Sequence, residues 1–444
     1  MRARSLPYGT VMKRLTLDEV RTALPELDEL RPILDDLLGR SEPDRSKAWA
    51  GSGQLDTVGS RFVPDISAAH DFAALARREA DRLQAVYRLV GRALAALAAG
   101  DALGAAAALL EAAASEEAGD RPDRALGYAE AAFRAVEGDR DRTVAALALR
   151  RSARAARTLG DLADALRRYE QSHDLARGMS DTRGAAEAAI GAGNVLQDQG
   201  RWDEAESRYR TALEVLEPLT EPAPERWHAL INLHIVARSR GRIEESLPLL
   251  REAEAAAAVI DADSATPFIE NARGQLLMAQ GAYDRAEEHF RTAVRTATHS
   301  RARITMRLNL AESFLARGRT LDAAEHAREA EREAIRARMV PTLPEVYRLL
   351  GRIASAEDNP DAFVLFERSL ELVRQRKLPI LEEALTVQAY AEAEALRGEK
   401  DTAEQLLEEA RERFAVLGMT QERQRWADVF GPPSDNDIPA KGMT

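Results

Sequence analysis

Three arginines stand at i, i+4 and i+7 in the segment TVAALALRRSARAARTL, so Arg150, Arg154 and Arg157 fall on one stripe of a helix. Such a stripe suits carboxylates, because each guanidinium offers a planar fork of N–H donors. Further along, amides recur amid alanine and leucine: Asn194 and Gln197, Asn232, Asn271 and Gln275, then Asn309. His228 and Arg238 flank Asn232, and consecutive Asn residues lie 38 or 39 positions apart. Asparagine is a mediocre helix former, so its return in helix interiors calls for a reason. An amide carries a donor and an acceptor together, which is what a peptide group requires regardless of its side chain. One chemistry open to such groups is recognition of another polypeptide. Asn194, Asn232, Asn271 and Asn309 would hold its main chain, and Arg150, Arg154, Arg157 and Arg238 its acidic groups. The same spacings also suit amides that bridge adjacent helices and arginines on a solvated face.

Bond-making chemistry finds no support in the residues. There is no Gly-x₄-Gly-Lys-Ser/Thr, no Gly-x-Gly-x-x-Gly after a strand, no His-Glu-x-x-His and no Gly-x-Ser-x-Gly. The glycine-rich GSGQLDTVGS lacks a following helix with a lysine, which favours a linker. The seven histidines are scattered, and His228 and His234, six apart, point away from one another on a helix. Cysteine is absent, which removes disulfides, thiolate metal sites and thiol nucleophiles. The expectation is a protein without catalysis, cofactor or metal.

The elements that must position these side chains are helices throughout. Apolar residues recur at helical spacing, each block lasts about 13–17 residues, and a Gly, Asp, Asn or Pro interruption follows. Six interruptions share one form: GDLADALRRYEQS from Gly160, GRWDEAESRYRTA from Gly200, GRIEESLPLLREA from Gly241, GAYDRAEEHFRTA from Gly281, GRTLDAAEHAREA from Gly318 and GEKDTAEQLLEEA from Gly398. The steps are 40, 41, 40, 37 and 80 residues, and EDNPDAFVLFERS supplies the missing copy without its glycine. A small residue recurs in each copy (Ala165, Ala205, Ser246, Ala286, Ala323, Ala362, Ala403). Four positions on comes a large apolar one (Tyr169, Tyr209, Leu250, Phe290, Phe366, Leu407; Ala327 is the exception), and three further a second small one. Small residues admit a neighbouring backbone and the large one fills the gap, so the grid predicts stacked helical hairpins.

This pattern resembles the tetratricopeptide repeat, whose second helix carries Ala-x₃-Phe/Tyr and a further Ala. Gly193, Gly274 and Gly351 match the family's first-helix glycine, while Ala153, His234, Ala311 and Ala391 replace it elsewhere. The period is nearer 40 than 34, which is similar to the long repeats of kinesin light chains and many bacterial regulators. The resemblance covers about residues 143–415. It implies an all-α, right-handed superhelix in which first helices line the concave surface. Mid-chain first helices are neutral or basic (RWHALINLHIVARSR, SRARITMRLNLAESFLAR) and second helices acidic (WDEAESRYRTALEVLE, DAAEHAREAEREAI). A chain of net charge −12 would then hold a basic groove for a protein or peptide partner bearing acidic residues.

The remaining expectations follow from composition. Residues 1–40 form a short helical segment and 41–65 a linker, 66–142 hold irregular hairpins, 416–430 a capping helix, and 431–444 a disordered tail. The acidic, proline-broken first 40 residues make no basic recognition helix, so direct nucleic-acid binding is not expected. No run reaches the ~18 apolar residues of a membrane span and no signal-peptide core is present, which predicts a cytoplasmic protein. The alternatives to an adaptor are a peptide-responsive regulatory receptor and a structural subunit of a larger bacterial assembly.

Overall fold

The computed structural model describes residues 66–138, 142–260 and 263–417. Within them every regular element is helical and no strand occurs. The segment 1–65 and nearly all of the proposed cap and tail, 418–444, lie outside the described residues. Among the described residues three helices precede the repeats: α1 (Ile66–Ala98), α2 (Ala102–Ala118) and α3 (Pro122–Val136). Seven helix pairs follow. They are α4 and α5 (Thr143–Leu159, Leu162–Gly178), α6 and α7 (Thr182–Asp198, Trp202–Leu216), and α8 and α9 (Pro224–Ser239, Ile243–Val259). Next come α10 and α11 (Thr266–Ala279, Tyr283–Thr296), α12 and α13 (Ser300–Ala316, Thr320–Arg336), α14 and α15 (Leu343–Ala356, Asp361–Arg376), and α16 and α17 (Ile380–Arg397, Lys400–Val416).

The chain divides into two compact units, residues 1–155 with 178–180, and 156–177 with 181–444, so that α4 is shared between them. In the first, α1 packs on α2 and α2 on α3 through alanine: Ala105, Ala106, Ala108, Ala112, Ala113, Ala129, Ala131 and Ala132 are all buried. Arg82 of α1 pairs with the buried Glu116 of α2.

In the second unit the hairpins stop and restart as the turn chemistry requires. Gly200 takes φ +75°, and at the copy without a glycine Asp358 adopts the left-handed conformation instead, at φ +54°. The small-large-small grid is buried in every copy. Its large residues key into the first helix: a Cβ on Gly193, Gly274 or Gly351 would come within 2.5, 2.6 and 2.7 Å of the rings of Tyr209, Phe290 and Phe366. Where the large residue shrinks, the glycine has been replaced by a side chain: His234 stands in the hairpin of Leu250, Ala311 in that of Ala327, and Ala391 in that of Leu407. Volume is thereby conserved at these three crossings, whereas Tyr169, whose hairpin has Ala153, sets its ring against Gly191 of α6.

From α6 onward each first helix packs on its own second helix, and the first helices α6, α8, α10, α12, α14 and α16 also touch one another in succession. Second helices make no comparable contact among themselves within the described residues. The first helices therefore form the inner layer of this unit and the second helices the outer one.

Candidate functional site

The inner layer carries two polar series. The first is the amides, all half-buried. The hydroxyl of Tyr209, buried within its hairpin, lies 2.8 Å from Asn194 Oδ1 and 3.1 Å from Gln197 Oε1, two acceptors for its one proton. Burial pushes the Tyr209 phenol up, so it stays a donor. Asn232 Nδ2 donates to Asn194 Oδ1 at 3.0 Å, and Asn309 Nδ2 donates to Asn271 Oδ1 at 2.8 Å. Two Asn–Asn bridges thus link α6 to α8 and α10 to α12. Each bridge uses one donor and one acceptor. The Nδ2 groups of Asn194 and Asn271 and the Oδ1 atoms of Asn232 and Asn309 hydrogen-bond to no described residue. Gln275 lies half-buried on α10, and His228 is exposed with its ring 3.6 Å from that of Trp227.

The second series is charged. Arg157 grips Asp198 with Nε at 2.6 Å and Nη2 at 3.0 Å, and Arg301 reaches the same carboxylate at 3.0 Å from 103 residues away. Burial raises the Asp198 carboxyl, but Arg157 and Arg301 together hold it below the ordinary carboxylate range. Arg301 is lowered by burial and then by Arg157, which Asp198 and Glu345 only partly offset. Arg348 pairs with Glu382, and Arg352 with Glu312, each at 2.7 Å. Glu345 lies among them with no hydrogen bond to a described residue. Burial, and then Glu382, push its carboxyl up to about 7, against the pull of Arg348 and Arg301. Arg238 makes no ion pair or hydrogen bond to a described residue. Its Nε is buried, and burial lowers its pKa despite the nearby Glu312.

Apolar contacts join the same regions of the second unit. A Cβ on Gly160 would lie 2.8 Å from Pro341, and one on Gly200 would lie 3.1 Å from Leu417 and 3.5 Å from Leu381. Trp202 packs against the cluster of Leu370, Leu381, Phe414 and Leu417. Early and late repeats of this unit meet along a seam, and the Asp198–Arg301 contact crosses it.

The arginine stripe of α4 is split in function. Arg150 is buried and Arg154 is exposed, 3.7 Å from Glu117, both in the first unit. Arg157 belongs to the second unit and is held by Asp198. Spacing along one helix missed Asp198, Arg301, Glu345, Arg348 and Glu382, because their meeting depends on repeats up to 103 residues apart. The one available signal was a charged residue on an inner helix beside an already suspected one, as Asp198 stands beside Gln197. Among the described residues no group of three or more His, Asp or Glu is arranged to hold a metal ion, and no helix is long and apolar enough to cross a membrane.

Comparison with known proteins bears on the fold. Residues 184–258 and 271–338 each match a family model described as tetratricopeptide repeat. No curated protein matches the chain. A crystal structure of a Rap protein complexed with competence and sporulation factor is similar at 15% identity and a TM-score of 0.50, over 73% of this chain and 97% of that one. The APC/C hetero-tetramer Cut9–Hcn1 is similar at 15% identity and 0.46, over 68% and 55%. Aspartyl phosphate phosphatase F from Bacillus subtilis is similar at 13% identity and 0.42, over 71% and 90%. At 15% identity the Rap protein structure speaks for the fold alone. With its hairpins, its buried small-large-small grid and the two family-model matches, the chain carries tetratricopeptide repeats, and its described residues stack as an all-α solenoid.

Proposed function

We propose that this chain is a non-catalytic adaptor or regulator that holds an extended polypeptide segment against the inner helices of its second unit. The observation that carries this reading is the pair of Asn–Asn bridges. Each bridge fixes two amides side by side and leaves one whole NH2 group and one carbonyl oxygen without a described partner, donors and an acceptor that complement a peptide group. Bridging neighbours and clamping a main chain are therefore compatible roles, the first orienting the groups for the second. Gln197, Gln275 and His228 extend the polar track. Arg238, without an internal partner, favours a carboxylate on the bound segment, and affinity for an acidic segment should then fall as salt rises.

The test is a peptide selected on the wild-type protein from a random displayed library. Asn194→Ala with Asn232→Ala should weaken its binding at least about tenfold, the worth of one to two hydrogen bonds, with the helical array intact by circular dichroism. Undiminished binding would remove the amide clamp. A second reading, a peptide-responsive receptor, draws support from the seam, since a ligand that favoured the open or the closed array would change its population.

A further inference from the structure

One carboxylate serves two guanidinium groups at the seam. Arg157 holds Asp198 with a two-pronged contact, the geometry by which a guanidinium receives any carboxylate, and Arg301 arrives from the other side at 3.0 Å. Arg301 sits on the inner helix α12 and Arg157 near the end of α4, and Tyr169, Tyr209 and Glu345 are the other titratable groups near them. Two cations sharing one anion leave an excess positive charge, only partly met by Glu345. We propose that Arg157 and Arg301 form a carboxylate seat that the array fills with its own Asp198, and that an acidic group of a bound polypeptide occupies the seat by displacing Asp198.

This inference rests on the groove-binding reading and adds Arg301, the internal competitor and a consequence. Asp198 is the last residue of α6, beside the turn at Gly200, so displacing it moves one short side chain and no helix. The exchange unties early repeats from late ones on the polar side of the seam, while Trp202 remains against Leu381 and Leu417. Ligand occupancy and polar closure of the array then exclude one another.

Asp198→Ala vacates the seat. Replacing chloride by acetate at constant ionic strength should raise the melting temperature of this variant by about 2–4 °C. The wild type, and Asp198→Ala combined with Arg301→Gln, should not respond. A blocked hexaglutamate peptide should bind Asp198→Ala roughly tenfold more tightly than the wild type, as a freed charge-assisted contact implies. Asp198→Asn, which keeps the side-chain shape, carries the peptide measurement if the alanine variant does not fold. Absence of an acetate effect, or equal hexaglutamate affinity with and without Asp198, overturns the proposal. The library-selected peptide and its dependence on Asn194 and Asn232 are unaffected by that outcome, so failure of the seat and failure of the clamp remain distinct.

Discussion

The amide series and the charge series share the same layer of helices yet are built differently. Asn bridges join immediate neighbours, 38 residues apart, and keep hydrogen-bonding capacity in reserve. The charged contacts largely consume themselves: Arg157, Arg301, Arg348 and Arg352 are taken up by Asp198, Glu382 and Glu312, leaving Arg238 and Glu345 as the exceptions. Five arginines face four carboxylates, so these helices are far less basic than their arginines suggest. A repeat array can display charge without offering it. What it offers outward is decided by which groups lack an internal partner.

The sharpest way to break this contrast is to disturb a consumed charge. Arg348→Ala leaves Glu382 without its ion pair and Glu345 without an attractive neighbour; it should destabilise the second unit by ~3 kcal/mol, seen as a lower urea midpoint. Next is the unconsumed charge. Folded Glu345 titrates near 7 against an ordinary value of 4.5, so the native chain retains a proton that the unfolded chain has lost. Stability attributable to this group therefore falls as pH rises from 4.5 to about 7, and the loss is complete above that. Glu345→Gln should flatten this slope and stabilise the protein at pH 8 by on the order of 2 kcal/mol, with little effect at pH 4.5, in melts across that range. An unchanged slope would show that other groups compensate Glu345. The smallest effect belongs to the amides: Asn309→Ala, which removes one partly exposed hydrogen bond, should cost ~1 kcal/mol or less by urea unfolding. A loss as large as that of Arg348→Ala would mean that the amides hold the array together rather than present themselves to a ligand.

Much of this was legible in residue types. The glycine steps marked the hairpins, and the Ala-x₃-Tyr and Ala-x₃-Phe grid marked the buried crossings, because both are local consequences of helix period and side-chain size. The candidate site was half legible. A 38-residue interval is about one repeat, so periodicity alone brings Asn194 to Asn232 and Asn271 to Asn309. The stripe of Arg150, Arg154 and Arg157 was legible as a stripe, but helical geometry says nothing of the carboxylates that Glu117 and Asp198 bring to it.

The sequence by itself determined the hairpin, its period, and the one-repeat spacing of the amides, because each follows from contacts within one repeat or between adjacent ones. Only the tertiary structure decided which guanidinium and carboxylate groups stay available. That depends on how much each repeat rotates against the last, and small rotations summed over several hairpins bring Arg301 to Asp198 and Gly160 to Pro341.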